Sequence, residues 1–399
     1  MSSYICPNEK KKILVLTNAY PNNLDENLGI DIKRQVEGIS EDFEIKVVAT
    51  IATYPFKRVI DKQPYNVAEK RQDGHIEVFY RRYLVIPKVG RGLFGFFCYF
   101  SLRQLMIELR KEFNFNAIIS FWTYPEGYAA VLLGKKYNLP VIIRPRGSDI
   151  NILPRGYIRK KIIQYTLNKC TTIFPVCGDL KNKIIKLGVE PHKIMTITLG
   201  VDTEIFNIQE RQDCRKKLGI NQNSFFILFA GYLRRIKGVE YLIKAIDILC
   251  KNSINNINLI IIGHGKLENK LKNMVKGYEL SDRISFVGSI ENTALPIWMN
   301  AADLFCLPSL SEGWPNVLME ALACGVPIVA SNVGGIPEIV NDKKYGFLVD
   351  PKNPDQLAEA VKEAKSRQWN REDLRARVKN NSWQDCIDRL KAEIRKVVL

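Results

Sequence analysis

The chain has 399 residues, with 59 Lys/Arg against 42 Asp/Glu and a formal net charge of +17; it is 46% hydrophobic and 25% charged. That length is too great for one ordinary core and suits two domains of roughly 150–200 residues each. The nine cysteines are scattered, odd in number and without a C-x-x-C pair, which argues against a zinc site and for reduced thiols in a cytoplasmic protein.

From the N-terminus, "MSSYICPNEKKK" has charges but no apolar core, so no signal peptide is expected. Short apolar runs at residues 11–18, 43–50, 116–122, 140–146 and 170–177 read as strands, with helical patterns at 31–40, 99–112 and 157–170 between them. The aromatic run "LFGFFCYF" at 93–100 is far short of the ~20 residues of a membrane-spanning helix. It lies in a segment, 81–105, that mixes cations with aromatics. Such a mixture favours the interface of an anionic bilayer, and a buried helix with basic flanks is the alternative. Residues 1–200 hold 31 Lys/Arg against 18 Asp/Glu (+13), and residues 201–399 hold 28 against 24 (+4). A basic first half fits nucleic acid, an anionic lipid surface or a phosphorylated substrate, or else a Lys-rich surface with no partner.

A polar stretch, 202–224, reads as an interdomain connection. The alternation then restarts with strands predicted at 225–231, 257–263, 283–288, 302–308, 326–331 and 346–350, and a last helix over 383–399. The division expected is a first domain over 1–201, a second over 225–380, and a final helical segment, 381–399, packing back on the first domain. Alternating strands and helices predict an α/β protein with two doubly wound parallel sheets, each with its own core. Ligands in such sheets sit beyond the carboxyl ends of the strands, which directs attention to "SEGWPNVLMEALACGVPIVAS" at 311–331. Pro315 suits the first turn of a helix, and Gly325 with Pro327 suits its end, so a helix is expected over 315–324. Its start, with Gly313, Trp314, Pro315, Asn316 and Val317, would face a phosphate, the unpaired N–H groups coming from the residues other than Pro315. Glu312 and Glu320 bracket it, an arrangement suited to a ligand with hydroxyls on both sides of its phosphates.

This block, with "NVGGIPEIV" and "GFLVDP" behind it, resembles the E-x7-E region of retaining glycosyltransferases of family 4 ("group 1"). "GYLRRIKGVEYLIKAI", "LIIIGHGKLENKLK", "LGVDTEIF" and "NAYPNNLDENLGIDIKRQVEGIS" extend the resemblance over nearly the whole chain. The resemblance implies a GT-B architecture, two facing Rossmann-like domains with a cleft between them. It implies transfer of a sugar from a UDP-, GDP- or ADP-sugar to a carbohydrate or lipid-linked glycan acceptor, with retention of anomeric configuration. The setting implied is bacterial surface polysaccharide or lipid-linked glycan synthesis, cytoplasmic and at the inner face of the membrane. By the same resemblance Glu312 contacts the donor sugar, Glu320 holds the ribose and Lys237 neutralises the diphosphate. Gly29, Gly231, Gly263 and Gly265 are expected to approach the donor closely.

Three positions depart from the family pattern. Tyr232 stands where an arginine is common, with Arg234 or Arg235 as a replacement; Asp31 stands where phenylalanine is common; and Arg146 replaces a histidine that contacts the donor sugar. Arg146 stays protonated and cannot serve as a base; it is expected to bind an anionic group or to pair with Asp149. The three histidines have no metal spacing and there is no D-x-D motif, so no cofactor and no metal are expected. Nor is a nucleic-acid partner. A nucleotide-sugar epimerase and a non-catalytic nucleotide-sugar-binding relative are the alternatives.

Overall fold

The computed structural model describes residues 10–54, 66–86, 92–254 and 256–398. They group into two compact units: Thr198–Cys386 form the second, and the residues before Thr198, together with those from Ile387 onward, form the first.

The first unit is built on seven strands: β1 (Lys12–Thr17), β2 (Glu44–Thr53), β3 (Lys70–Asp73), β4 (Ile76–Leu84), β5 (Ala117–Ser120), β6 (Val141–Ile143) and β7 (Thr172–Ile173), in the order β3-β4-β2-β1-β5-β6-β7. All neighbours pair in parallel except β3, which runs antiparallel along β4. Ile13, Leu14, Val15 and Leu16 of β1 are wholly buried, as expected of a central strand covered by helices on both faces, and this is why the run carries no alternation. Strand β4 differs. Its residues alternate between buried and half-buried, with Tyr80 and Tyr83 turned inward. The segment 81–105 is therefore not one element: residues 81–84 close β4, and helix Phe94–Glu112 begins ten residues later. Residues 87–91 lie outside the described residues.

Six strands form the second sheet: β8 (Phe225–Ala230), β9 (Ile257–Ile262), β10 (Ile284–Gly288), β11 (Leu304–Leu307), β12 (Ile328–Ser331) and β13 (Gly346–Val349), all parallel in the order β10-β9-β8-β11-β12-β13. The chain winds outward from β8 to β10, then crosses back to β11 beside β8. The strand order therefore reverses between β8 and β11, which marks the topological switch point.

The polar residues 202–224 are packed into the second unit. They carry helix Arg211–Leu218, whose buried Arg215 pairs with Asp303 at 2.5 Å and donates to the Ala301 carbonyl at 2.9 Å. Arg371 secures the same stretch, donating to the Gln209 carbonyl at 2.8 Å and to Asn300 Oδ1 at 2.6 Å. The last helix, Trp383–Val398, joins the first unit from Ile387 onward, where Lys391 pairs with Glu41 at 2.5 Å and Arg395 with Asp42.

Candidate functional site

The loops that leave β8 and β11 meet at the switch point of the second sheet. After β8, residues 231–238 turn through a short 3-10 segment, Arg235–Lys237, and helix Val239–Lys251 follows. After β11 the chain runs through Ser309 and Glu312 into helix Asn316–Ala323. Lys237 Nζ donates to Glu312 Oε1 at 2.7 Å, and Ser309 Oγ donates to the same oxygen at 2.6 Å. The lysine and the glutamate, 75 positions apart, thus form one hydrogen-bonded pair that links the two loops. Both side chains are mostly covered, 22% and 11% exposed, so their attraction is only partly screened.

The helix that follows Glu312 starts one residue later than expected. Pro315 takes the N-cap position, with φ −79° and ψ 98°, and makes no side-chain cap. The first helical N–H groups are therefore left without a local side-chain acceptor. Nearby, Trp314 Nε1 and Asn316 Oδ1 are buried without a hydrogen-bond partner in the protein. Gly313 gives its carbonyl to the Gly335 N–H at 2.9 Å, Val317 is half-buried, and Glu320 lies half-buried on the second turn.

Gly263 and Gly265 prove to be required by their neighbours within the chain. A Cβ on Gly263 would stand 2.0 Å from the Gly231 carbonyl oxygen, and one on Gly265 would stand 2.5 Å from that of Leu233. The loop after β9 is pressed on the loop after β8, and the Leu233 N–H donates to the His264 carbonyl at 2.8 Å there. Arg234 stacks its guanidinium 5.0 Å from the centre of the Tyr232 ring, and Tyr232 meets the His264 ring edge-on at 5.2 Å. Tyr232, where the family pattern has arginine, is thus the middle of a stack that holds Arg234.

The first unit has its own polar cluster at the carboxyl ends of β1, β2, β5 and β6. Gly29 caps helix Ile30–Ser40 with φ +68°, and the space its Cβ would need is taken by the Ala19 carbonyl, 2.4 Å away. The side-chain partner of Arg146 differs from the one expected. Its guanidinium pairs with Asp31, not with Asp149. Asp149 is occupied with local donors: it accepts from the backbone N–H groups of Arg146 at 3.1 Å, Gly147 at 2.9 Å and Thr123 at 3.0 Å, and from the Thr123 hydroxyl at 2.8 Å. The two residues that depart from the family pattern in this unit, Asp31 and Arg146, are therefore partners. Arg146 Nη1 is buried without a partner.

Glu126 was not singled out by sequence. Wholly buried at the start of helix Glu126–Tyr137, it accepts from Thr50 Oγ1 at 2.6 Å and from Asn18 Nδ2 at 3.5 Å. Burial pushes its carboxyl up to about 7, against the opposing hydrogen bond from Thr50. An acidic residue between a predicted strand and an apolar helical run was the available signal. Among the described residues no group of three or more His, Cys, Asp or Glu is placed to hold a metal ion, and no helix is long and apolar enough to cross a membrane.

Two parallel-sheet Rossmann-like units with a charged pair at the second switch point define a GT-B type protein. The family model for glycosyl transferases group 1 matches residues 210–384 and that for glycosyltransferase family 4 matches residues 47–205; the chain belongs to this glycosyltransferase family. It is 33% identical over 190 residues to the D-inositol 3-phosphate glycosyltransferase of Paenarthrobacter aurescens (strain TC1), a match that spans 47% of this chain and about half, 47%, of that relative. It is 25% identical over 360 residues, 88% of each chain, to a candidate teichuronic acid biosynthesis glycosyltransferase, TuaC, of Bacillus subtilis (strain 168). The structure of Anabaena Alr3699/HepE in complex with UDP-glucose superposes with a TM-score of 0.73 at 19% identity, covering 96% of this chain and 99% of that one.

Proposed function

We propose that this chain transfers a sugar from a nucleotide-sugar to an acceptor hydroxyl with retention of anomeric configuration and without a metal. The setting is synthesis of a bacterial surface polysaccharide or lipid-linked glycan, at the cytoplasmic face of a membrane. The observation that carries the reading is the Lys237–Glu312 pair at the second switch point. A diphosphate leaving group gathers negative charge as the glycosidic bond breaks, and a preorganised cation beside it lowers the barrier. On this reading Lys237 leaves Glu312 for the diphosphate, and Glu312 accepts hydrogen bonds from the donor-sugar hydroxyls. Glu320 holds the ribose, and the N–H groups at the start of helix Asn316–Ala323 face the phosphates. The leaving phosphate oxygen takes the acceptor proton, so no side-chain base is needed; Arg146 contributes positive charge. The UDP-glucose held by Alr3699/HepE and the glycan role named for TuaC support this choice of donor and product class.

The test is release of nucleoside diphosphate from UDP-, GDP- and ADP-sugars in the presence of glycan acceptors, with and without chelator. Lys237→Ala and Glu312→Ala should each lower turnover by about 10²–10³-fold; parental turnover in both variants would remove the assignment. Tyr232 in place of the family's arginine favours a second reading, a nucleotide-sugar-binding protein without turnover. That reading expects saturable binding and no release from any donor.

A further inference from the structure

Much of the exposed apolar surface of the first unit is concentrated on two helices, Phe94–Glu112 and Tyr157–Lys169. Leu93, Phe96, Phe100, Tyr157, Ile158 and Tyr165 are between 37% and 77% exposed. They belong to one surface. Gly92, at the head of the first helix, lies against Ile158 and Ile162 of the second. The rings of Phe96, Tyr128 and Tyr165 form a chain with centroids 5.1 and 6.0 Å apart, and so bridge the helices. Single exposed apolar residues need no explanation, but a contiguous group of large ones marks a docking surface. The opposite side of the first helix is already used, since Cys98, Leu102, Leu105, Met106 and Leu109 are buried in the unit's own core. Only the outward stripe is free to meet a partner.

The stretches that carry this stripe are cationic, and the first acid along the leading helix, Glu108, lies beyond them and accepts from Gln104 Nε2 at 3.0 Å. Neither residues 92–107 nor residues 150–178 contain an aspartate or glutamate. Arg103, Lys160 and Lys161 are exposed and Arg159 half-exposed. Arg103 lies 5.8 Å from the Phe100 ring centre and Lys161 5.9 Å from that of Tyr157, so cations and rings are interleaved.

We infer that this two-helix surface docks the chain on an anionic lipid bilayer, with the aromatic and aliphatic side chains at headgroup depth and the cations on the lipid phosphates. Interleaved rings and cations suit the water–lipid boundary, where each ring meets acyl chain on one side and headgroup on the other. A polypeptide partner of ordinary composition offers no such uniform negative field. A predominantly cationic rim instead matches a surface whose charge is negative throughout. The helices lie on the membrane and do not enter it, because their inner faces belong to the protein core. The inference deepens the membrane-side setting proposed above and rests on that reading, naming the surface and the lipid class.

Sedimentation of the full chain with vesicles, without donor or acceptor, tests it. The parent should bind vesicles containing phosphatidylglycerol at least tenfold more tightly than vesicles of phosphatidylcholine alone, with binding weakened by added salt. Lys160→Glu with Lys161→Glu, and separately Phe100→Ser with Ile158→Ser, should each reduce that binding about tenfold or more at unchanged melting temperature. All four side chains are on the surface, so the folded state is retained. Indifference to lipid charge would overturn the proposal, as would variants that bind like the parent. It would also fall to a concentration-dependent dimer, seen by light scattering and abolished by Phe100→Ser with Ile158→Ser, since a second copy would then be the occupant. A chain that binds anionic vesicles yet transfers no sugar keeps this surface and loses the donor chemistry, so the two failures are distinct.

Discussion

Glu312→Gln should tighten the binding of UDP and slow sugar transfer, two effects of opposite sense from one substitution. Lys237 Nζ stands 2.7 Å from Glu312 Oε1. At an effective dielectric of about 20 that separation corresponds to a gross attraction of roughly 6 kcal/mol. Desolvation of both ions and the solvent reaching the 22%-exposed lysine reduce the net worth of such a pair to about 1–2 kcal/mol. A diphosphate must compete against that sum for the same ammonium. Glutamine keeps the acceptor for Ser309 Oγ, which donates to Glu312 Oε1 at 2.6 Å, and removes only the charge. UDP, which lacks the sugar that Glu312 is proposed to hold, should then bind about 5–30-fold more tightly. Turnover with the intact donor should fall about 10²-fold. Lys237→Met should move UDP affinity the other way, weakening it at least tenfold. Titration calorimetry with UDP, or with whichever nucleoside diphosphate the chain binds, reads the first effect, and initial-rate kinetics read the second. Unchanged or weaker diphosphate binding by Glu312→Gln would refute the competition and leave the pair as a structural tie between two loops.

Three further outcomes follow from the same physical terms. The Glu126 carboxyl, raised from an ordinary 4.5 to about 7 by burial, keeps its proton in the folded state where the unfolded chain releases it. Its contribution to stability therefore declines as pH rises from about 4.5 to 7, by roughly 3 kcal/mol, and is level above that window. Glu126→Gln should flatten this slope in denaturant titrations and be the more stable form at pH 8; a parallel slope in the variant would sink the assignment. For the Asp31–Arg146 pair, 19% and 15% exposed, Asp31→Asn should cost about 1–2 kcal/mol more in the parent than in an Arg146→Met background; additive costs would show that the pair does not couple. Gly334→Ala places a Cβ 2.2 Å from the Glu312 carbonyl at a residue with φ +59°, so it should lower stability by about 2–3 kcal/mol in thermal melts and impair transfer through a displaced Glu312; a neutral melt would show that the 311–313 loop yields easily.

The sheets were legible wherever a strand is buried on both faces. Continuous apolar runs such as "ILVL" of β1 and "FILF" of β8 can only be satisfied between two layers of helix, and they were visible without any knowledge of pairing. Strand β3 escaped because it is a short polar strand at the sheet's edge, and β4, beside it, because only one of its faces is fully buried. One side of β4 is half-solvated, so its sequence, "IEVFYRRYL", alternates and carries charge, with Arg81 and Arg82 next to each other near its end. The short strands β6 and β7 show the opposite error. The apolar runs at 140–146 and 170–177 are longer than the three and two residues that pair, since Pro145 and Pro175 lack the N–H a ladder would use.

The candidate site divides along a similar line. Lys237 and Glu312 could be found from residue type and family pattern, because each sits just past a strand's carboxyl end. What no one-dimensional reading supplies is which charges meet. Asp31 and Arg146 are 115 positions apart, and as separate departures from the family pattern they weaken the case for the usual chemistry. As one ion pair they mean something else: each substitution removes the cost the other would impose, since a lone carboxylate or guanidinium at that depth would be left partly buried and uncompensated. Gly263 and Gly265 likewise acquire a second reason to be glycine beside the expected donor approach, since an added Cβ would meet the chain itself at Gly231 and Leu233. Departure from a pattern is thus evidence about chemistry only after the neighbours of the departing residue are known, and in this protein those neighbours convert two anomalies of the first unit into a single, internally consistent contact.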